Sequence, residues 1–243
     1  MTRGDDAQPT QALSEGAPGR QVCRKHGGKG LSSLRYLLFL PERYDPRPQD
    51  AARDVEEAAG WPLIVFLHGA GERGDDLKQV KTYGPPMIVE GTPDFPFVVV
   101  SPQCPAEQYW EPERLMALVD DVVASHWIDR RRIVLTGASL GAFGMWQTAF
   151  AYPDRFAALV PVCGWGNPAW AAVLRDVPVW MFHGEEDSVV PIDGSLEMLE
   201  AVLAAGGDAR FTSFPGVGHD AWTEAYAMPE LYAWLLEQRT PLV

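Results

Sequence analysis

Arg132-Ile133-Val134-Leu135-Thr136-Gly137-Ala138-Ser139-Leu140-Gly141, followed by Ala142 to Tyr152, is the stretch whose reading decides the fold. An apolar β-type run enters a Gly-x-Ser-x-Gly turn, and a helix-like segment leaves it. A serine between a strand and a helix takes a strained backbone conformation, and small flanking residues let the two elements approach closely enough to present its hydroxyl. A chain of this length meets the five-residue pattern by chance on the order of one time in ten. Its weight therefore rests on what surrounds it.

Outward from this turn, β-rich runs alternate with helical patterns. The runs are Leu34 to Leu40, Leu63 to Leu67, Phe97 to Ser101, Arg132 to Gly137, Ala157 to Cys163, Val179 to His183 and Arg210 to Phe214. Leu63 to Leu67 and Phe97 to Val100 are apolar at every position, which predicts strands of a mostly parallel sheet covered by helices on both faces. Leu115, Leu118, Val119, Val122 and His126 share one helical face. A second helix is expected over Ser195 to Ala205, with Leu196, Leu199, Val202 and Leu203 inward and Gly206-Gly207 as its stop. A third follows Pro229 and carries Leu231, Trp234 and Leu235.

Residues 1–20 read as a flexible leader, and 21–243 as one α/β catalytic domain. Asp45 to Gly60, rich in proline and charge, reads as a surface hairpin connection. Between Gly166 and Val177 the chain has room for a short loop only, so no lid domain is expected there.

Hydrophobic residues make up 47% of the 243, enough for one large core. Thirty-three acidic residues against 20 basic ones give a net charge of −13, which argues against nucleic acid or anionic membranes as partners. Cys23, Cys104 and Cys163 form neither a disulfide framework nor a metal-binding spacing. The polar start has no secretion signal and no run that would insert in a membrane, so a cytoplasmic location is expected. The oligomeric state is left open.

Acyl transfer requires a nucleophile, a base, an acid that orients the base, and amide donors for an oxyanion. Ser139 is the candidate nucleophile. His219, in Gly218-His219-Asp220, is the candidate base, and Asp187, beside Glu185 and Glu186, the candidate acid. Both follow predicted strands, where a parallel sheet gathers its ligand-facing loops. Oxyanion donors are expected from the Leu140 amide and from the loop His68 to Gly74, with Ala70 favoured and Gly71 second. Glu72 and Arg73 are expected to pair with each other and hold that loop.

His68-Gly-Ala-Gly-Glu-Arg-Gly, Ser101-Pro-Gln-Cys-Pro, Gly137-Ala-Ser-Leu-Gly, Tyr152-Pro-Asp-Arg-Phe-Ala-Ala and His183-Gly-Glu-Glu-Asp resemble the α/β-hydrolase superfamily. The nearest branch is its small carboxylesterases of predicted peptidase/phospholipase, polyhydroxybutyrate-depolymerase-like or feruloyl-esterase-like type. The resemblance covers about residue 30 to the C-terminus. It implies an α/β-hydrolase fold, the order Ser139, Asp187, His219 for nucleophile, acid and base, and no cofactor or metal; it alone selects Asp187 over Glu185 and Glu186. Ala142 departs from a frequent second glycine.

His68 and His183 read as structural hydrogen-bonders, and His26 and His126 have no chemical partner in sequence. Cys104 and Cys163 read as buried small residues. Tyr109, Trp110, Trp165, Trp170 and Trp222 fall in the same loops, and Trp110 and Trp165 are the best-placed candidates for substrate contact. The function this implies is a serine hydrolase of short-chain or aryl esters, a small-molecule substrate. A prolyl-oligopeptidase-type peptidase, an acyltransferase and a non-catalytic binding protein are the alternatives.

Overall fold

A computed structural model describes residues 18–27, 33–46 and 60–241. Its strands are β1 (Gln21–His26), β2 (Leu34–Phe39), β3 (Trp61–Leu67), β4 (Val98–Pro102), β5 (Ile128–Ala138), β6 (Ala158–Val162), β7 (Val179–Gly184) and β8 (Ala209–Phe214). They form one sheet in the order β1-β2-β4-β3-β5-β6-β7-β8. The β1–β2 and β2–β4 pairs are antiparallel, and every pair from β4–β3 to β7–β8 is parallel. This is the α/β-hydrolase fold the resemblance implies.

The helices are α1 (Pro85–Gly91), α2 (Pro112–Ser125), α3 (Leu140–Ala151), α4 (Asp193–Ala204), α5 (Trp222–Ala227) and α6 (Pro229–Glu237). Alternation along β3 divides the core in two, as a period of two residues requires. Leu63, Val65 and Leu67 face one layer with side chains of α2, α3 and α4, whereas Ile64 and Phe66 face the other with Tyr226, Leu231 and Trp234 of α5 and α6. Both faces are covered, so the central strands carry no polar alternation.

The seven predicted runs match β2 to β8, with ends shifted by a few residues. β1 escaped prediction because Gln21-Val-Cys-Arg-Lys-His is a half-exposed edge strand whose composition carries no apolar signal. β5 starts four residues before Arg132; three arginines hide its first half. The inward face of α4 needs correction: Ser195, Met198 and Val202 are buried, while Leu203 is 50% exposed. The helix presents its 195–198–202 strip, and Leu203 falls one step round from it. The predicted leader, but for its last three residues, and most of the Asp45–Gly60 connection lie outside the described residues. Where a lid was not expected, the chain makes a short 3-10 helix, Pro168–Leu174.

Strand order reverses at β3, which has β4 on one side and β5 on the other. A crevice opens beyond the carboxyl ends of strands at such a reversal. The loop leaving β3 and the turn leaving β5 stand side by side there, since Leu67 and Gly137 are partners in register.

Candidate active site

Ser139 links β5 to α3 with φ 55° and ψ −119°, a left-handed conformation rare for a residue with a side chain. The glycines around it are sterically required. A Cβ on Gly137 would collide with the Gly141 carbonyl, and one on Gly141 with the carbonyl of Leu67. The Ser139 amide donates to Val162 O at 2.9 Å, which ties the turn to β6.

His219 Nε2 lies 2.9 Å from Ser139 Oγ, and His219 Nδ1 lies 2.7 Å from Asp187 Oδ2. The sequence-predicted nucleophile, base and acid are therefore in one hydrogen-bonded chain. Nδ1 must carry a proton to face a carboxylate, which leaves Nε2 free to accept from the hydroxyl. Trp222 sets its edge against the His219 ring, 5.3 Å between centroids.

Asp187 is fully buried at its side chain. Burial alone would push its carboxyl up. The bond from His219 and the amides of Val190 and Val189, each 2.9 Å from Oδ1, outweigh this and hold it below the ordinary carboxylate value. Glu185 turns away, accepting instead from Ser213 Oγ at 2.7 Å.

The loop after β3 packs on the serine: a Cβ on Gly69 would stand 3.5 Å from Ser139 Cβ. The Gly69 amide is taken, donating to Tyr83 Oη at 2.7 Å. The Ala70 and Gly71 amides meet no acceptor among the described residues. Leu140 opens α3, where first-turn amides lack intrahelical partners.

Buried His68 sets the loop's shape. Its Nε2 accepts from the Cys104 amide at 3.0 Å, so the proton is on Nδ1, which donates to Gly69 O at 2.7 Å. Burial pushes this imidazole down to about 4, and it stays neutral. The expected Glu72–Arg73 pair does not form. Arg73 Nε donates to Ala70 O at 3.1 Å and its Nη1 to Gln108 O at 3.2 Å, while Glu72 accepts from Tyr83 Oη at 3.0 Å. Backbone carbonyls and a tyrosine distant in sequence won over the neighbouring charge. Sequence reasoning missed Tyr83, which sits among turn formers with no periodicity to mark it.

Trp110 is largely buried. It is 7% exposed, donates through Nε1 to His68 O at 3.2 Å, and fills the notch left by Gly144 on α3. It braces the loop after β3 against α3. Trp165 is 45% exposed and packs on Phe143 at 5.5 Å. It follows Gly164, whose Cβ position is 3.3 Å from Ser139 O, so it stands on the serine's flank. Val189, beside Asp187, is 66% exposed.

His26, without a partner in sequence, meets Asp121 at 3.2 Å, and His126 Nδ1 faces Val122 O at 3.1 Å. The buried Cys104 and Cys163 thiols are pushed up to about 11 and about 12 by burial, which removes their nucleophilic form. Cys163, His183 and Asp187 are the one group of potential metal ligands found among the described residues. Their carboxylate and imidazole atoms are already engaged in hydrogen bonds within the fold.

A model of the Phospholipase/Carboxylesterase family matches residues 110–232, just over half of the chain, including all three members of the Ser139–His219–Asp187 chain. The chain belongs to this family. It is 39% identical over 118 residues to acyl-protein thioesterase 1 of Gibberella zeae, covering 45% of this chain and 49% of that protein. It is 26% identical over 212 residues to a probable feruloyl esterase C of Aspergillus terreus, covering 85% and 74%. Among solved structures it is similar to a thermostable esterase, with a TM-score of 0.74 and 28% identity over 92% of this chain and 64% of that one. The chain thus spans about half of the thioesterase and under two thirds of the solved esterase.

Proposed function

We propose that this protein hydrolyses carboxylic esters through a covalent acyl-enzyme. The observation that carries the reading is the chain Ser139 Oγ, His219 Nε2, His219 Nδ1, Asp187 Oδ2, with steps of 2.9 and 2.7 Å. Ser139 Oγ attacks the ester carbonyl as His219 Nε2 takes its proton, and buried Asp187 steadies the imidazolium. The Ala70 and Leu140 amides hold the oxyanion, with Gly71 the alternative in the loop. The imidazolium then protonates the departing alcohol. Water, deprotonated by the same nitrogen, releases the acid and restores the serine.

The esterases among its relatives support this reaction class. Trp165, Phe143 and Val189 offer an open, apolar and partly aromatic rim, which suits short-chain or aryl esters. Likeness to a thioesterase supports a second reading, that the acyl group arrives as a thioester. Ser139→Ala should abolish turnover of p-nitrophenyl butyrate and labelling by a fluorophosphonate while leaving the circular dichroism spectrum unchanged. Retained turnover would overturn the assignment. Faster hydrolysis of a butyryl thioester than of the matched oxygen ester would favour the second reading.

A further inference from the structure

Behind the proposed acid lies a second, fully buried histidine that the reaction just described leaves unused. His183 ends β7 with its side chain fully buried, and its Nε2 lies 2.9 Å from Val190 O and 3.2 Å from Asp187 Oδ2. A carbonyl and a carboxylate oxygen can only accept, so Nε2 must carry a proton. Its other nitrogen, Nδ1, is 2.8 Å from Ser195 Oγ, the buried residue in the first turn of α4. Ser195 Oγ is itself 2.9 Å from Gly164 O, in the segment packed against Ser139. One imidazole thus spans β7, the Asp187 loop and α4.

We propose that His183 is a positioning residue for the acid: its Nε2–H, donated to Val190 O, fixes the turn whose Val189 and Val190 amides grip Asp187 Oδ1 and stands 3.2 Å from Oδ2 opposite His219, and Ser195 sets the plane of its ring. The inference rests on the serine-hydrolase reading and adds a fourth side chain to it. Asp187 then has two amides at Oδ1 and His219 at Oδ2, with the His183 Nε2–H that holds Val190 O standing 3.2 Å from the same oxygen. A carboxylate so shared cannot swing away from His219 between turnovers. The His183 N–H dipole beside Oδ2 also faces that charge, which tempers how strongly it stabilises the His219 imidazolium. The remaining titratable group facing it is the Cys163 thiol, held protonated by burial.

His183→Leu removes the N–H beside Oδ2 and the bond that holds Val190 O, so Asp187 turns its full charge on His219 from a less fixed position. The imidazolium is favoured, and the acid limb of kcat/KM moves to higher pH, by about half a unit. kcat should fall at least about tenfold as the carboxylate loses its fixed orientation, with KM little changed. His183→Gln, which can restore an N–H at that place, should recover most of kcat and return the limb towards wild type. Ser195→Ala, milder in the core, should shift the limb in the same direction by less. Equal losses in the leucine and glutamine variants with no movement of the limb would show a purely structural role and overturn the proposal.

Nitrogen-15 NMR of histidine-labelled wild-type protein needs no variant to fold. It should find His183 Nε2 protonated throughout the pH range of activity, and an unprotonated Nε2 would also overturn the proposal. These results are separate from the nucleophile assignment, since that assignment fails only if Ser139→Ala still turns over ester.

Discussion

The loop after β3 and the loop after β7 begin alike and end as opposites. Each starts with a fully buried histidine at a strand's carboxyl end, His68 in one and His183 in the other. His68 faces an amide through Nε2 and so holds its proton on Nδ1, whereas His183 faces two acceptors through Nε2 and must hold a proton there. The first histidine ties up the Gly69 carbonyl, and Tyr83 takes the Gly69 amide, leaving the next amides free. The second stands in a loop that gathers donors onto one carboxylate. One loop is built to leave N–H groups unpaired and the other to spend them, and the surrounding partners, not the residue type, decide which.

Removing the carboxylate charge breaks the second loop most severely. Asp187→Asn should lower kcat about 10⁴-fold, because an amide facing His219 Nδ1 favours the tautomer that cannot accept the Ser139 proton. Steady-state kinetics on p-nitrophenyl butyrate measure this, and a loss under tenfold would break the comparison.

The first loop should show itself in stability. His68 is held at about 4 when folded and returns to about 6.5 when unfolded. Between these values the unfolded chain binds more protons, so its stability is complete above about pH 6.5 and is lost as pH falls towards 4. At pH 5 the loss is about 2 kcal/mol. Urea midpoints at pH 8 and pH 5 test it, and His68→Gln should flatten the difference. A slope as steep in the variant as in wild type would place the sensitivity elsewhere.

The smallest effect is expected at the lock on that loop. Tyr83→Phe strips the Gly69 amide and Glu72 of their partner, with no polar atom touching substrate. It should cost about tenfold in kcat at an unchanged KM, the signature of oxyanion donors slightly out of place. An unaltered kcat would show that His68 suffices.

Much of this site was legible in sequence because the chemistry sits at strand ends. Ser139 and Asp187 follow strands with a clear apolar signature and His219 follows the half-exposed β8, and parallel pairing carries all three to one edge. Side-chain direction within loops was not legible. Trp110 and Trp165 look equivalent along the chain, yet one turns into the Gly144 notch and the other remains half exposed. Glu72 and Arg73 look like a pair, yet the carbonyls of Ala70 and Gln108 take the arginine and Tyr83 takes the glutamate. α4 was placed correctly, but its buried strip passes through Ser195, a polar residue that hydrophobic periodicity cannot rank.

The Gly144 notch separates what can vary from what cannot. Trp110 fits into α3 and bonds to His68 O, so the helix carrying the serine and the loop carrying the proposed oxyanion donors are joined as one rigid unit. Trp165 and Val189 stand outside that unit. On the proposed reaction, substrate range could therefore drift, or be engineered, at these exposed positions while the Ser139–His219–Asp187 chain keeps its spacing, and a change at Gly144 would alter both at once.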